Sequence, residues 1–221
     1  MEAILLVTRY LFASLMVALV GHQIWTKRSE LHFVLSVWKR FRPLMLLEVV
    51  IVIVLTLTSV ITMISLFPFL KWGWLAPFLN SDTGGNILIA PIMGASDSSF
   101  IFVRIIPFIF LVALLFFLPF MAKREEDGFR RGYNTYKEII YKSIQFGLMH
   151  LIVGIPIAAG FALIGGGLFF GYKYKKTLDR LSPKMDYKEA EDEAIMVATT
   201  YHTLSNSVIT LIGVYYVLSM I

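Results

Sequence analysis

The chain contains no cysteine, which removes disulfides, thiolate metal sites and a cysteine nucleophile. Charge is scarce as well: 16% of residues are Asp, Glu, Lys or Arg, against about 25% in soluble domains. A His-Glu-x-x-His pair is missing, and with it the usual metalloprotease signal. The apolar runs are continuous and do not alternate, which disfavours a closed transmembrane barrel. No solenoid-type repeat or low-complexity tract is found in the 221 residues.

What is present is apolar: 57% of the chain is hydrophobic and its mean hydropathy is +0.74. Roughly 20 apolar residues cross a bilayer core of about 30 Å. On that basis the candidate spans are 3–22, 44–70, 100–121, 138–155, 156–172 and 194–221. Gly154-Ile155-Pro156 predicts a break or tight hairpin between the fourth and fifth, because proline removes a helix donor and restricts its predecessor. The expected fold is all-α: one integral membrane domain over 1–221, a polytopic bundle of about six transmembrane helices. Residues 1–72 form an N-terminal helical pair within it. Met1 to Trp25 lacks a basic n-region and a clear cleavage site, so it reads as a retained span.

The loops orient the chain. Residues 26–42 carry Lys27, Arg28, Lys39, Arg40 and Arg42 against Glu30 alone. The 71–99 loop is poor in basic residues, whereas Lys123, Arg124, Arg130 and Arg131 follow the third span, and Lys173, Lys175 and Lys176 follow the fifth. This alternation puts both termini outside and the basic loops in the cytoplasm. It also accounts for the net charge of +5 without a nucleic-acid partner. The expected partners are the lipid bilayer and a peptide or membrane-protein substrate. The membrane expected is a prokaryotic plasma membrane.

Asp186-Tyr187-Lys188-Glu189 resembles a capping box, and the acidic residues after it favour the positive end of a helix dipole. A single helix from 187 to 221 would be about 52 Å long, with its first turns projecting from the membrane.

Against this apolar background three polar groups stand out: Glu125-Glu126-Asp127-Gly128-Phe129-Arg130, Phe146-x-x-x-His150 and His202-x-x-x-Asn206. Ionisable groups at such positions cost several kcal/mol unless paired or hydrated, so they point to function. His150 lies eight residues past Lys142, and His202 nine past Glu193. At 1.5 Å per residue both imidazoles sit about 12–14 Å below one face. The i, i+4 spacing puts His202 with Asn206, Phe146 with His150, and Glu126 with Arg130 on shared helix faces, the last pair suited to an ion pair. Counting alone leaves Glu125 near the surface, just past the run 100–121, and away from the histidines.

Amide hydrolysis needs a base for water and donors for the developing oxyanion. A carboxylate with His150 can deprotonate water, and His202 with Asn206 can stabilise the negative oxygen. Phe146 can wall the site against water. No serine or cysteine nucleophile is required.

In this order, Glu-Glu-x-x-x-Arg, Phe-x-x-x-His and His-x-x-x-Asn resemble the three motifs of the CAAX-protease and bacteriocin-processing family of intramembrane endopeptidases. The resemblance covers residues 100–221, a protease-like core, and implies a helical cavity open to the cytoplasm. It implies that Glu125 and His150 activate water, that His202 and Asn206 form the oxyanion hole, and that Glu126 and Arg130 support them. The charged stretch 173–193 falls between the second and third motifs.

Two other readings use the same residues. Glu125, His150 and His202 form an acceptable zinc set, with zinc as a possible cofactor where the first reading needs none. A non-catalytic immunity or interaction protein would instead use the polar groups to bind a partner.

Overall fold

The computed structural model describes residues 14–15, 18–19, 21–23, 25–26, 28–74 and 101–219. Most of the candidate span 3–22 and nearly all of the 71–99 loop lie outside these. Among the described residues the chain is all-α, without strands. The α-helices are α1 (Leu31–Lys39), α2 (Pro43–Leu66), α3 (Ile101–Arg130), α4 (Tyr136–Met149), α5 (Ile157–Leu181) and α6 (Tyr187–Leu218).

Each boundary has a local cause. Pro43 occupies the first position of α2, where a missing N–H costs nothing. Thr135 caps α4 through a capping box: its hydroxyl accepts from the Glu138 N–H, and the Glu138 carboxylate accepts from the Thr135 N–H. The 138–155 segment is not one α-helix: α4 stops at Met149 and a 3₁₀ turn, His150–Val153, follows. Gly154, at φ 85°, then reverses the chain into α5, as the Gly-Ile-Pro sequence predicts. Asp186 caps α6, with its carboxylate accepting from the Lys188 N–H. α6 then continues unbroken to Leu218, about 48 Å.

The third helix is longer than its apolar run. α3 continues through Pro119 to Arg130. Its polar end is laced by i, i+4 ion pairs: Lys123 with Asp127 at 2.6 Å, Glu126 with Arg130 at 3.1 Å, and Asp127 with Arg131 at 2.8 Å. This extension answers the counting problem, because Glu125 sits inside a helix that packs along α6.

α4 packs against α5, α3 against α6, and α5 against α6, while α2 lies over α5 and α6. One core cluster joins α2, α4, α5 and α6 through Met45, Val49, Phe146, Phe170, Tyr201 and Leu204. A second joins the α4, α5 and α6 ends through Ile139, Tyr174, Leu178 and Ile195. The α4–α5 crossing is close because Gly147 faces Gly160; a Cβ on Gly147 would lie 2.6 Å from the Gly160 carbonyl oxygen.

The basic segments gather at one end of the bundle. Arg40 pairs with Glu193, Arg131 with Asp192 at 2.8 Å, and the Gly132 N–H donates to Glu191 at 2.8 Å. The stretch 173–193 therefore completes α5, turns, and starts α6 against the α3–α4 connection. Among the described residues two helices, α2 and α5, are long and apolar enough to cross a membrane. Only 17% of the most apolar stretch of α2 is buried, and it turns Leu44, Leu55 and Ile61 outward.

Candidate active site

Four helices supply the site. From α3 come Glu125, Glu126 and Arg130, from the end of α4 Phe146 and His150, from α5 Phe170, and from α6 His202 and Asn206.

Its foundation is a buried ion pair. Glu126 and Arg130 are both fully buried, with Arg130 Nε 3.1 Å from Glu126 Oε2. The guanidinium also donates to the Gly167 carbonyl at 2.8 Å and the Ser143 hydroxyl at 3.3 Å, which ties α3 to α4 and α5. A charge so desolvated needs several partners to be tolerated, and here each is a short fixed group. Glycines at 167 and 171 let α5 lie close on α4 beside the guanidinium: a Cβ on Gly171 would lie 2.5 Å from Ile139 Cγ2, and one on Gly167 would lie 3.1 Å from the Ser143 carbonyl oxygen.

The other oxygen of Glu126 receives His202. Nδ1 of His202 lies 2.8 Å from Glu126 Oε1, and as an ionised carboxylate can only accept, Nδ1–H is the donor. The ring is held in place by Phe170, stacked at 4.6 Å and 16°, and by the edge-to-face contact of Phe146 at 5.5 Å. His150 is oriented in a parallel manner: its Nδ1 lies 2.7 Å from the Phe146 carbonyl oxygen, to which it donates, and its ring lies 4.6 Å from the Phe146 phenyl.

Both Nε2 atoms then face one oxygen. Glu125 Oε2 is 3.9 Å from Nε2 of His150 and 3.8 Å from Nε2 of His202. These distances exceed hydrogen-bond range. The oxygen is shielded from solvent and has no hydrogen-bond partner among the described residues, although the Glu125 side chain as a whole is 30% exposed. Its lone pairs are available.

The structure thus brings together Glu125, Glu126, Arg130, Phe146, His150 and His202. Asn206, half-buried, lies one turn beyond His202 on the same helix face, and its carboxamide makes no hydrogen bond among the described residues. Phe170, Ser143 and Gly167 belong to the site but are not visible in the sequence, because each acts through a contact between helices. Among the described residues no group of three His, Asp or Glu side chains is spaced to hold a metal ion.

No protein-family model, curated protein or solved structure matches this chain.

Proposed function

We propose that the chain is an intramembrane endopeptidase similar to the CAAX-protease and bacteriocin-processing family, cutting a membrane-associated peptide near the cytoplasmic face. The observation that carries this reading is the pair of imidazoles whose Nε2 atoms share one unpartnered oxygen of Glu125, at 3.9 and 3.8 Å.

The chemistry follows from the donor and acceptor inventory. With Nδ1–H of His150 given to a carbonyl, the neutral ring presents a lone pair at Nε2. That lone pair and Glu125 Oε2 are two acceptors 3.9 Å apart, able to take both protons of one water molecule. Glu125 removes a proton as the water oxygen adds to the scissile carbonyl carbon. His202 is flanked by two carboxylates and one guanidinium, so its imidazolium form makes the cluster neutral and gives Nε2 a proton to donate. That N–H and the Asn206 amide stabilise the oxyanion, an effect typically worth about 2.7–4 kcal/mol per donor. Glu125 then passes its proton to the leaving nitrogen as the C–N bond breaks.

The membrane setting supports this chemistry. In this reading the chain is a bundle of about six spans with its basic end in the cytoplasm, and among the described residues α2 and α5 are long and apolar enough to be two of the crossings. Small exported peptides, such as bacteriocin or pheromone precursors, fit as substrates. The test is the peptide content of membranes with and without the wild-type chain. New peptide termini that depend on the chain support the reading, and unchanged peptide content rejects it.

A zinc-dependent version has one observation in its favour: both histidines engage Nδ1 and turn Nε2 inward, as metal-ligating imidazoles do. Cleavage that is lost on chelation and restored by zinc would select it.

A further inference from the structure

On the other side of α6 from the carboxylate–histidine cluster is a cavity of about 580 Å³, walled by the α1–α2 junction, the end of α5 and the first half of α6. Six cations line it: Lys39, Arg40, Arg42, Lys173, Lys176 and Arg180. Two carboxylates oppose them, and both are already engaged. Glu193 takes the Arg40 guanidinium through both oxygens, and Glu48 takes Lys173 at 2.7 Å and the Tyr201 hydroxyl. Lys39, Arg42, Lys176 and Arg180 make no ion pair among the described residues. A concave wall with this surplus of positive charge attracts an anion.

The surroundings say which anion. Arg42 immediately precedes Pro43 at the start of α2, and Arg180 is next to last in α5. Both helices are, among the described residues, long and apolar enough to cross a membrane, and in that setting the cations at their ends would lie at the level of the lipid headgroups. The apolar wall residues Leu44 and Met45 continue into the outward face of α2, where Leu44, Leu47 and Ile51 are 66%, 56% and 50% exposed. A small soluble anion would leave that face uncovered, whereas a phospholipid covers it with its acyl chains. Arg42 and Arg180 offer the planar fork that grips phosphate oxygens in pairs. The α2 N-terminus adds the positive end of its dipole.

We propose that this cavity binds the phosphate headgroup of an anionic phospholipid of the basic-side leaflet, with the acyl chains lying along α2. Tyr201 lines the cavity and is the neighbour of His202 in α6, so an occupied cavity would buttress the segment carrying that histidine. The proposal needs the membrane setting but not the peptidase activity, and its readout is binding.

The test uses the full-length chain purified in neutral detergent, with phosphatidylglycerol or phosphatidylcholine added and retained lipid counted by native mass spectrometry. Phosphatidylglycerol should be retained roughly tenfold more tightly, since each basic group near an anionic headgroup contributes several-fold. The preference should vanish in Arg42→Gln/Lys176→Gln/Arg180→Gln and persist in Arg42→Lys/Arg180→Lys. Should the triple variant not fold, Arg180→Glu, at an exposed position, should weaken the preference alone. Equal retention of the two lipids, or a preference unchanged by these charge substitutions, overturns the proposal. So does binding of inorganic phosphate or an acidic peptide in the absence of any phosphatidylglycerol preference.

Discussion

His202 Nδ1 donates to Glu126 Oε1 across 2.8 Å, and both side chains are buried. The contact makes His202 a structural residue as well as a chemical one, whereas His150 is 27% exposed and, among the described residues, is hydrogen-bonded only to the nearby Phe146 carbonyl. The two histidines should therefore differ when removed.

His202→Ala leaves a buried carboxylate oxygen unpartnered and should destabilise the fold by about 1–3 kcal/mol. His150→Ala should leave the melting temperature close to that of the wild type. Both should abolish peptide cleavage. Thermal unfolding of the two variants in detergent checks the split, and equal melting temperatures would show that the Glu126–His202 bond contributes nothing to stability.

Arg130→Ala removes the charge that balances Glu126 and the donor to Gly167, so the buried carboxylate is left with His202 alone. Breaking one side of such a pair costs about 3–5 kcal/mol. The expected outcome is loss of folded protein on extraction. Recovery of well-folded Arg130→Ala protein at the wild-type melting temperature would contradict the assigned burial.

Gly147→Ala tests the α4–α5 crossing that sets the position of His150. Its Cβ would meet Ile164 Cγ1 at 2.5 Å, the Gly160 carbonyl oxygen at 2.6 Å and the Ile164 nitrogen at 2.7 Å. Two of these are backbone atoms that cannot rotate away, so a loss of about 1–3 kcal/mol is expected, with reduced cleavage. Gly165→Ala is the control. Nothing lies within 4 Å of its added Cβ, and helix propensity alone should stabilise it by roughly 0.5–1 kcal/mol.

Much of this arrangement is legible in the sequence, for identifiable reasons. Helical spacing is local, so the Glu126–Arg130 pair and the shared faces of Phe146 with His150 and His202 with Asn206 can be read directly. The break at Gly154 follows from the Gly-Ile-Pro sequence. The end of α3 was less readable: a hydropathy reading stops the helix at residue 121, but i, i+4 ion pairs carry it to Arg130, and that extension sets Glu125 beside the histidines. The division of 138–155 into α4 and a 3₁₀ turn is also hidden, although Thr135-x-x-Glu138 marks where α4 begins. Phe170 on His202, and Ser143 and Gly167 on Arg130, depend on how α5 crosses its neighbours, and no local pattern specifies that crossing.

With Glu125 as the base, peptide cleavage by Glu125→Gln is the decisive measurement. The substitution keeps the shape of the side chain and breaks no hydrogen bond at Oε2, so the fold should melt as the wild type does. General-base catalysis of this kind contributes about 10²–10⁴-fold, and the chain-dependent peptide termini should disappear on the timescale of the wild-type reaction. Products formed by the Glu125→Gln chain at the wild-type rate would contradict that role.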